Sequence, residues 1–191
     1  WGDNGDGLSP GIVAEIAAQQ KASGNTSQER SFLAVSGGGS NGAFGAGVLF
    51  GWTASGKRPE FTVVTGVSTG SLIAPFAFLG PPYDDYLREA YTEVSGDDIF
   101  EKKGVLTILR GSESVADNSP LRRLVARYVT EKMLADIERE HKRGRRLLVG
   151  TTNLDAERPV VWDIGAIASS RVPGRQKLIQ DILVASASIP G

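Results

Sequence analysis

The sequence has no cysteine, one histidine and one methionine in 191 residues. The first absence removes disulfides and thiol nucleophiles without identifying a compartment. The second leaves His141 as the only imidazole that could serve as a base. Excess charge is missing too: 21 Lys and Arg stand against 22 Asp and Glu, so no field recommends nucleic acid as a partner. No apolar run approaches the ~18 residues of a membrane-spanning helix. No His or Cys cluster accompanies the carboxylates, so no metal site is read. The chain opens at Trp1 rather than methionine, which is compatible with removal of a targeting segment and leaves localisation open.

What is present is a hydrophobic content ordinary for a globular protein and a charged fraction that rules out general disorder, in a length that suits one sizeable domain. Residues 1–30 read as an N-terminal extension, turn-rich at "WGDNGDG", then a short helix over "SPGIVAEIAAQQ" with Ser9 as N-cap and Pro10 at its first position. Residues 31–191 read as one domain. "SFLAVSG" is expected to be a buried parallel strand, and "GGGSNGAFGAGVLFGWTASG" a glycine-rich turn leading into a buried helix. "EFTVVTGV" is a second strand, followed by the helix "STGSLIAPFAFLG" with a kink expected at Pro75. "YDDYLREAYTEV" and "SPLRRLVARYV" have helical spacing, the latter with Ser119 as N-cap. "TEKMLADIEREHKRG" is a helix closed by basic residues and Gly144. Two strands, "RLLVGTTNL" and "RPVVWDIG", and a last helix, "RQKLIQDILVASASIP", complete the chain. Strands alternating with helices give an α/β fold with a largely parallel sheet.

Two glycine loops carry the chemistry. Gly66-Val67-Ser68-Thr69-Gly70 fits G-x-S-x-G, which puts a serine on a strained strand-to-helix turn where larger flanking side chains would collide. The motif alone is weak, but the strand before it and the helix after it are the context it needs. Gly37-Gly38-Gly39-Ser40-Asn41-Gly42 also runs from strand to helix, and its N–H groups can converge on a phosphate or an oxyanion. It also fits the dinucleotide fingerprint, but the next strand ends in "TGVSTG" with no carboxylate for a ribose, and Glu60 precedes that strand.

Together, "SGGGSNGAFGAGVL" and "TGVSTGSLIAP", with "LLVGTTNLDAERPVVWDIG" and "ILVASASIPG" later, resemble the patatin-like phospholipase family. The resemblance implies a three-layer α/β/α fold with a largely parallel central sheet. It also implies a serine lipid acyl hydrolase of phospholipase A, lysophospholipase or general carboxylesterase type. Ser68 falls at the nucleophile, between Gly66 and Gly70 of its elbow. Gly37, Gly38 and Gly39, with Gly42 shaping the helix start and Thr69 adding a donor, fall at the oxyanion hole. The implied partner is a lipid or other acyl-ester substrate, with room for peripheral membrane contact. Neither nucleic acid nor a cofactor is implied.

His141, in "EREHKRGRR", reads as a solvated helix-end residue, which argues against a Ser-His-Asp triad. The family's alternative is a Ser-Asp dyad, whose aspartate sits in an Asp-Gly-Gly or Asp-Gly-Ala motif downstream of the "ASASIPG" segment. Residues 1–191 contain neither; Asp155, Asp163 and Asp181 lack the following glycine, and Asp6 is out of order. The base is expected beyond Gly191, and this stretch alone is expected to be inactive. Asn41 stands where the family usually has Arg or Lys, which removes a fixed positive charge from the loop. Two other readings stay open: a catalytically silent lipid- or protein-binding domain of the same fold, and a phosphate-binding protein using the first loop.

Among the remaining features, "HKRGRR" reads as anionic-headgroup binding or as helix-end punctuation, and "LIAPFAFLGPPY" as acyl-pocket lining or simply a buried helix. Trp52 and Trp162 read as packing residues, and Asp84-Asp85 and Asp97-Asp98 as helix starts.

Overall fold

The computed structural model describes residues 30–92 and 118–188, with isolated positions between 14 and 24 of which 14, 17–19, 21 and 22 are helical. Ser9, Pro10 and the Asp97-Asp98 pair lie outside the described residues. The described chain runs β1 (Phe32–Val35), a 3₁₀ turn (Gly39–Asn41), α1 (Gly42–Ala54), β2 (Val63–Val67) and α2 (Thr69–Leu79). A second 3₁₀ turn (Pro81–Tyr83) leads into α3 (Asp84–Thr92). After it come α4 (Ser119–Tyr128), α5 (Glu131–Lys142), β3 (Arg146–Asn153), β4 (Arg158–Asp163), α6 (Ile164–Ser169) and α7 (Arg175–Ala187).

The sheet order is β1-β2-β3-β4, with the first three strands parallel and β4 antiparallel as the second half of a hairpin with β3. Helices cover both faces, giving the three-layer α/β/α arrangement. Val64, Leu147 and Val149 are wholly buried between the layers, which is why these strands are apolar runs rather than alternating ones. α2 runs through Pro75 without interruption and is buried from Thr69 to Phe78. Register decides where function can sit. Phe32 pairs with Val63 and Val63 with Arg146, so the parallel strands start level and both glycine loops leave the same carboxyl edge.

Three local expectations are corrected and one helix is added. β1 is not a buried strand: it has one neighbour in the described sheet, and Phe32 is 67% exposed. α1 is not a buried helix either; only Gly42, Ala46 and Leu49, one stripe at i, i+4 and i+7, are fully buried, with Ala43, Phe50 and Trp52 packing against the core from its margins, while Phe44 and Val48 are exposed. The N-cap of α4 is Asn118, not Ser119. α6 was not read from the sequence; Asp163 caps it by accepting from the Ala166 N–H at 2.9 Å. Asp84 and Asp85 do occupy the first turn of α3.

The basic run after α5 is only partly surface. Arg145 is buried at the lower edge of the sheet, where it donates to Phe61 O (2.8 Å), Phe78 O (2.6 Å) and Glu140 Oε2 (3.0 Å). Its guanidinium also lies 4.4 Å from the Phe78 ring centroid. Burial alone would raise the Glu140 carboxyl, but Arg145 and Arg143 outweigh it and hold it below the usual range. Replacing Arg145 by Ala removes the side-chain donor from the Phe61 and Phe78 carbonyls and leaves Glu140 to Arg143 and Arg139, so unfolding in urea should show a loss of about 1–3 kcal/mol.

Candidate active site

β2 ends at Val67 and α2 begins at Thr69, so Ser68 alone turns the chain. It does so at φ 56°, ψ −129°, and Glu157 is the only other non-glycine at positive φ among the described residues. Such a conformation costs about 1–3 kcal/mol and persists only where its surroundings hold it. Here Ser68 O accepts from the Ser71 N–H (2.9 Å) and from Ser71 Oγ (2.6 Å). The Ser68 N–H donates to Ser186 Oγ at 3.0 Å, and that hydroxyl donates to Gly150 O at 2.6 Å.

The small flanks are needed by contact. A Cβ on Gly70 would fall 2.1 Å from Val35 O, so the first turn of α2 lies directly under the end of β1. One on Gly66 would fall 2.5 Å from Gly70 O. One on Gly42 would fall 2.4 Å from Thr69 Oγ1, which puts the N-termini of α1 and α2 against each other. Two aligned helix N-termini give this edge partial positive charge, a setting for an anion or a developing oxyanion.

The first loop reaches the serine. A Cβ on Gly37 would lie 3.0 Å from Ser68 Cβ and 3.5 Å from its Oγ. Gly38 O accepts from the Asn41 N–H at 2.9 Å, closing the turn, and Gly39 holds a left-handed φ of 53°. The residues expected to act together are therefore neighbours: Gly37 with Ser68, Gly42 with Thr69, and Gly66 with Gly70.

Three aspartates weighed from the sequence lie elsewhere. Asp163 caps α6, Asp155 sits exposed in the β3–β4 turn, and Asp181 pairs with Arg122 (2.5 Å) and Lys177 (2.6 Å). His141 is not solvated, contrary to the sequence reading. It is buried, with Nδ1 3.7 Å from Asp163 Oδ1, and its ring occupies the space a Gly165 side chain would need. It precedes β3, whose first residue pairs with Val63, whereas Ser68 follows the far end of β2. That places a strand of ~16 Å between them.

Two neighbours escaped the sequence reading. Ser186 lies in the quoted "ASAS" segment, but nothing in the sequence marks which hydroxyl points to the elbow. Tyr91 is buried, and its hydroxyl lies 3.1 Å from Thr69 Oγ1. α2 also lines a small apolar cavity of about 30 Å³ with Leu72, Pro75 and Phe76, facing Tyr91 and Tyr128. That is room for little more than a water-sized group. Trp52 packs edge-on to Phe61, and Trp162 donates to Thr151 Oγ1, both as packing residues.

Burial pushes the Tyr91 hydroxyl up to about 12, against the lowering effect of its bond with Thr69. Because that folded-state value lies above the usual 10, the contribution is complete below pH 10 and lost as pH rises toward 12. Tyr91→Phe should therefore flatten the alkaline fall in stability over that window, by on the order of 2 kcal/mol, in urea titrations at stepped pH.

No curated protein matches the sequence. A family model described as patatin-like phospholipase matches residues 33–191, which includes both loops, the sheet and α7. The chain belongs to the patatin-like phospholipase family, whose members act in general as lipid acyl hydrolases.

Proposed function

We propose that the chain is the nucleophile-bearing part of a serine carboxylic-ester hydrolase acting on phospholipids, lysophospholipids or related acyl esters. The observation that carries this reading is the positive-φ turn at Ser68, held from both sides with Gly37 against its side chain. Strain at one polar side chain on a convergent glycine edge is where nucleophiles are found.

In the first step a carboxylate takes the Ser68 hydroxyl proton while Oγ bonds to the ester carbonyl carbon. The oxyanion so formed accepts from the N–H groups of Gly38, Gly39 and Thr69, with Gly37 and Gly42 setting the loop and helix start. Collapse breaks the ester C–O bond, and the leaving alcohol takes the proton. Water then attacks the acyl-enzyme and gives a proton to the same carboxylate, which returns it to Ser68 Oγ as the acyl C–Oγ bond breaks and the fatty acid leaves. The family resemblance implies that this carboxylate belongs to an Asp-Gly-Gly or Asp-Gly-Ala motif, which residues 1–191 do not contain; Asp155, Asp163 and Asp181 are engaged or exposed elsewhere. Phe44, Val48 and Val67, exposed around the two loops, suit a substrate presented at a lipid surface.

Fluorophosphonate labelling tests this in residues 1–191 and in a chain carried past Gly191 to include such a motif. The expected result is labelling and phospholipid hydrolysis in the longer chain, a fall of about 10³-fold or more in Ser68→Ala, and retention in His141→Ala. Absence of labelling in a folded longer chain would move the reading to a silent lipid- or protein-binding domain.

A further inference from the structure

We propose that Ser186 is the positioning residue of the elbow, its hydroxyl extending the β2–β3 ladder one step past the sheet and so fixing the Ser68 backbone. Val67 pairs with Gly150 as the last matched pair of the parallel ladder. Next in the chain, Ser68 turns up out of the strand, and its N–H meets the Ser186 hydroxyl instead of another strand. That hydroxyl in turn donates to Gly150 O at 2.6 Å, so the chain N–H to Oγ–H to O=C spans the gap the turn opens. The linkage ties three elements far apart in sequence: the end of β2, the middle of β3 and the last turn of α7.

The neighbouring hydroxyl shows that this is a specific use. Ser188 Oγ bonds to Val184 O four residues back, within its own helix end. Ser186 leaves its helix to bond two other elements, and the buried Ile182, Leu183 and Ala187 around it hold α7 in place to do so. This hydrogen-bond chain also has a chemical consequence. With its N–H committed to Ser186, Ser68 is not an oxyanion donor, and that duty falls on Gly38, Gly39 and Thr69. This consequence rests on the proposed role of Ser68; the fixing of the elbow does not.

The test compares Ser186→Ala, Ser186→Thr and Ser188→Ala in the longer, hydrolytically active chain, with two readouts. Hydrogen exchange of the peptide covering residues 66–71 should quicken in Ser186→Ala and not in Ser188→Ala. Hydrolysis of a micellar phospholipid should lose about 10- to 100-fold in kcat with KM within twofold, since small misplacements of a reacting group carry losses of that size. Ser186→Thr, which keeps the hydroxyl, should recover most of the rate, and Ser188→Ala should match the parent. Unchanged exchange at the elbow in Ser186→Ala would overturn the proposal whatever Ser68 does. So would a rate loss shared equally by Ser188→Ala. Quickened exchange without any effect of Ser68→Ala on hydrolysis would instead leave the elbow tie standing and reject Ser68 as nucleophile.

Discussion

The contact between Gly70 and the last carbonyl of β1 sets the geometry of everything above the sheet. With Val35 level with Gly66 in register, α2 must start beneath the end of β1, and no side chain fits between them. One residue is then left to turn the chain, and it turns at positive φ. The same closeness brings the first loop onto the second, so Gly37 meets Ser68 and Gly42 meets Thr69 through backbone proximity rather than through charged or bulky side chains. A site built this way is rigid because its parts are too close to rearrange, and it needs only a few hydrogen bonds to offset the strain at Ser68.

The opposite edge of the sheet is built on the contrary plan. There Arg145, Glu140, Arg146 and His141 are buried and interlocked, with Arg145 binding carbonyls that precede β2 and end α2. Those bonds fix where β3 begins, and through the level register they fix where its carboxyl end lies. Charge at the starts of the strands and glycine at their ends are two halves of one device. The first sets the register on which the second depends. His141, the only histidine in the sequence, is buried as part of this anchor.

The sequence made the order of strands and helices legible, because apolar runs bounded by glycine identify parallel strands and both loops declare their strand-to-helix setting. It also made the site's glycines and Ser68 legible, since close approach and a positive-φ turn each demand a residue type. What stayed hidden is tertiary. Phe32 and Val48 look like core residues, and among the described residues β1 and α1 have too few neighbours to bury them. His141 and Arg145 look like solvated helix-end charges, and only the packing of α6 and the carbonyls of Phe61 and Phe78 bury them. Ser186 is one of two similar hydroxyls two residues apart, and which of them leaves its helix depends on the angle of α7 to the sheet, which no local pattern encodes.

In the proposed mechanism, nucleophile and base are separable. The turn at Ser68 is held by Ser71 and Ser186, and neither tie involves a carboxylate. On that reading the attacking geometry would be complete before the proton acceptor is in place. In a Ser-His-Asp site the histidine both takes the proton and bonds to the nucleophile. On the proposed reading the backbone ties would replace that second role, and a carboxylate acting directly as base would need only to come within reach of Ser68 Oγ. A chain of this fold without that base would then keep the elbow and lose the hydrolysis, so the elbow alone would not distinguish the enzyme from a silent binding domain.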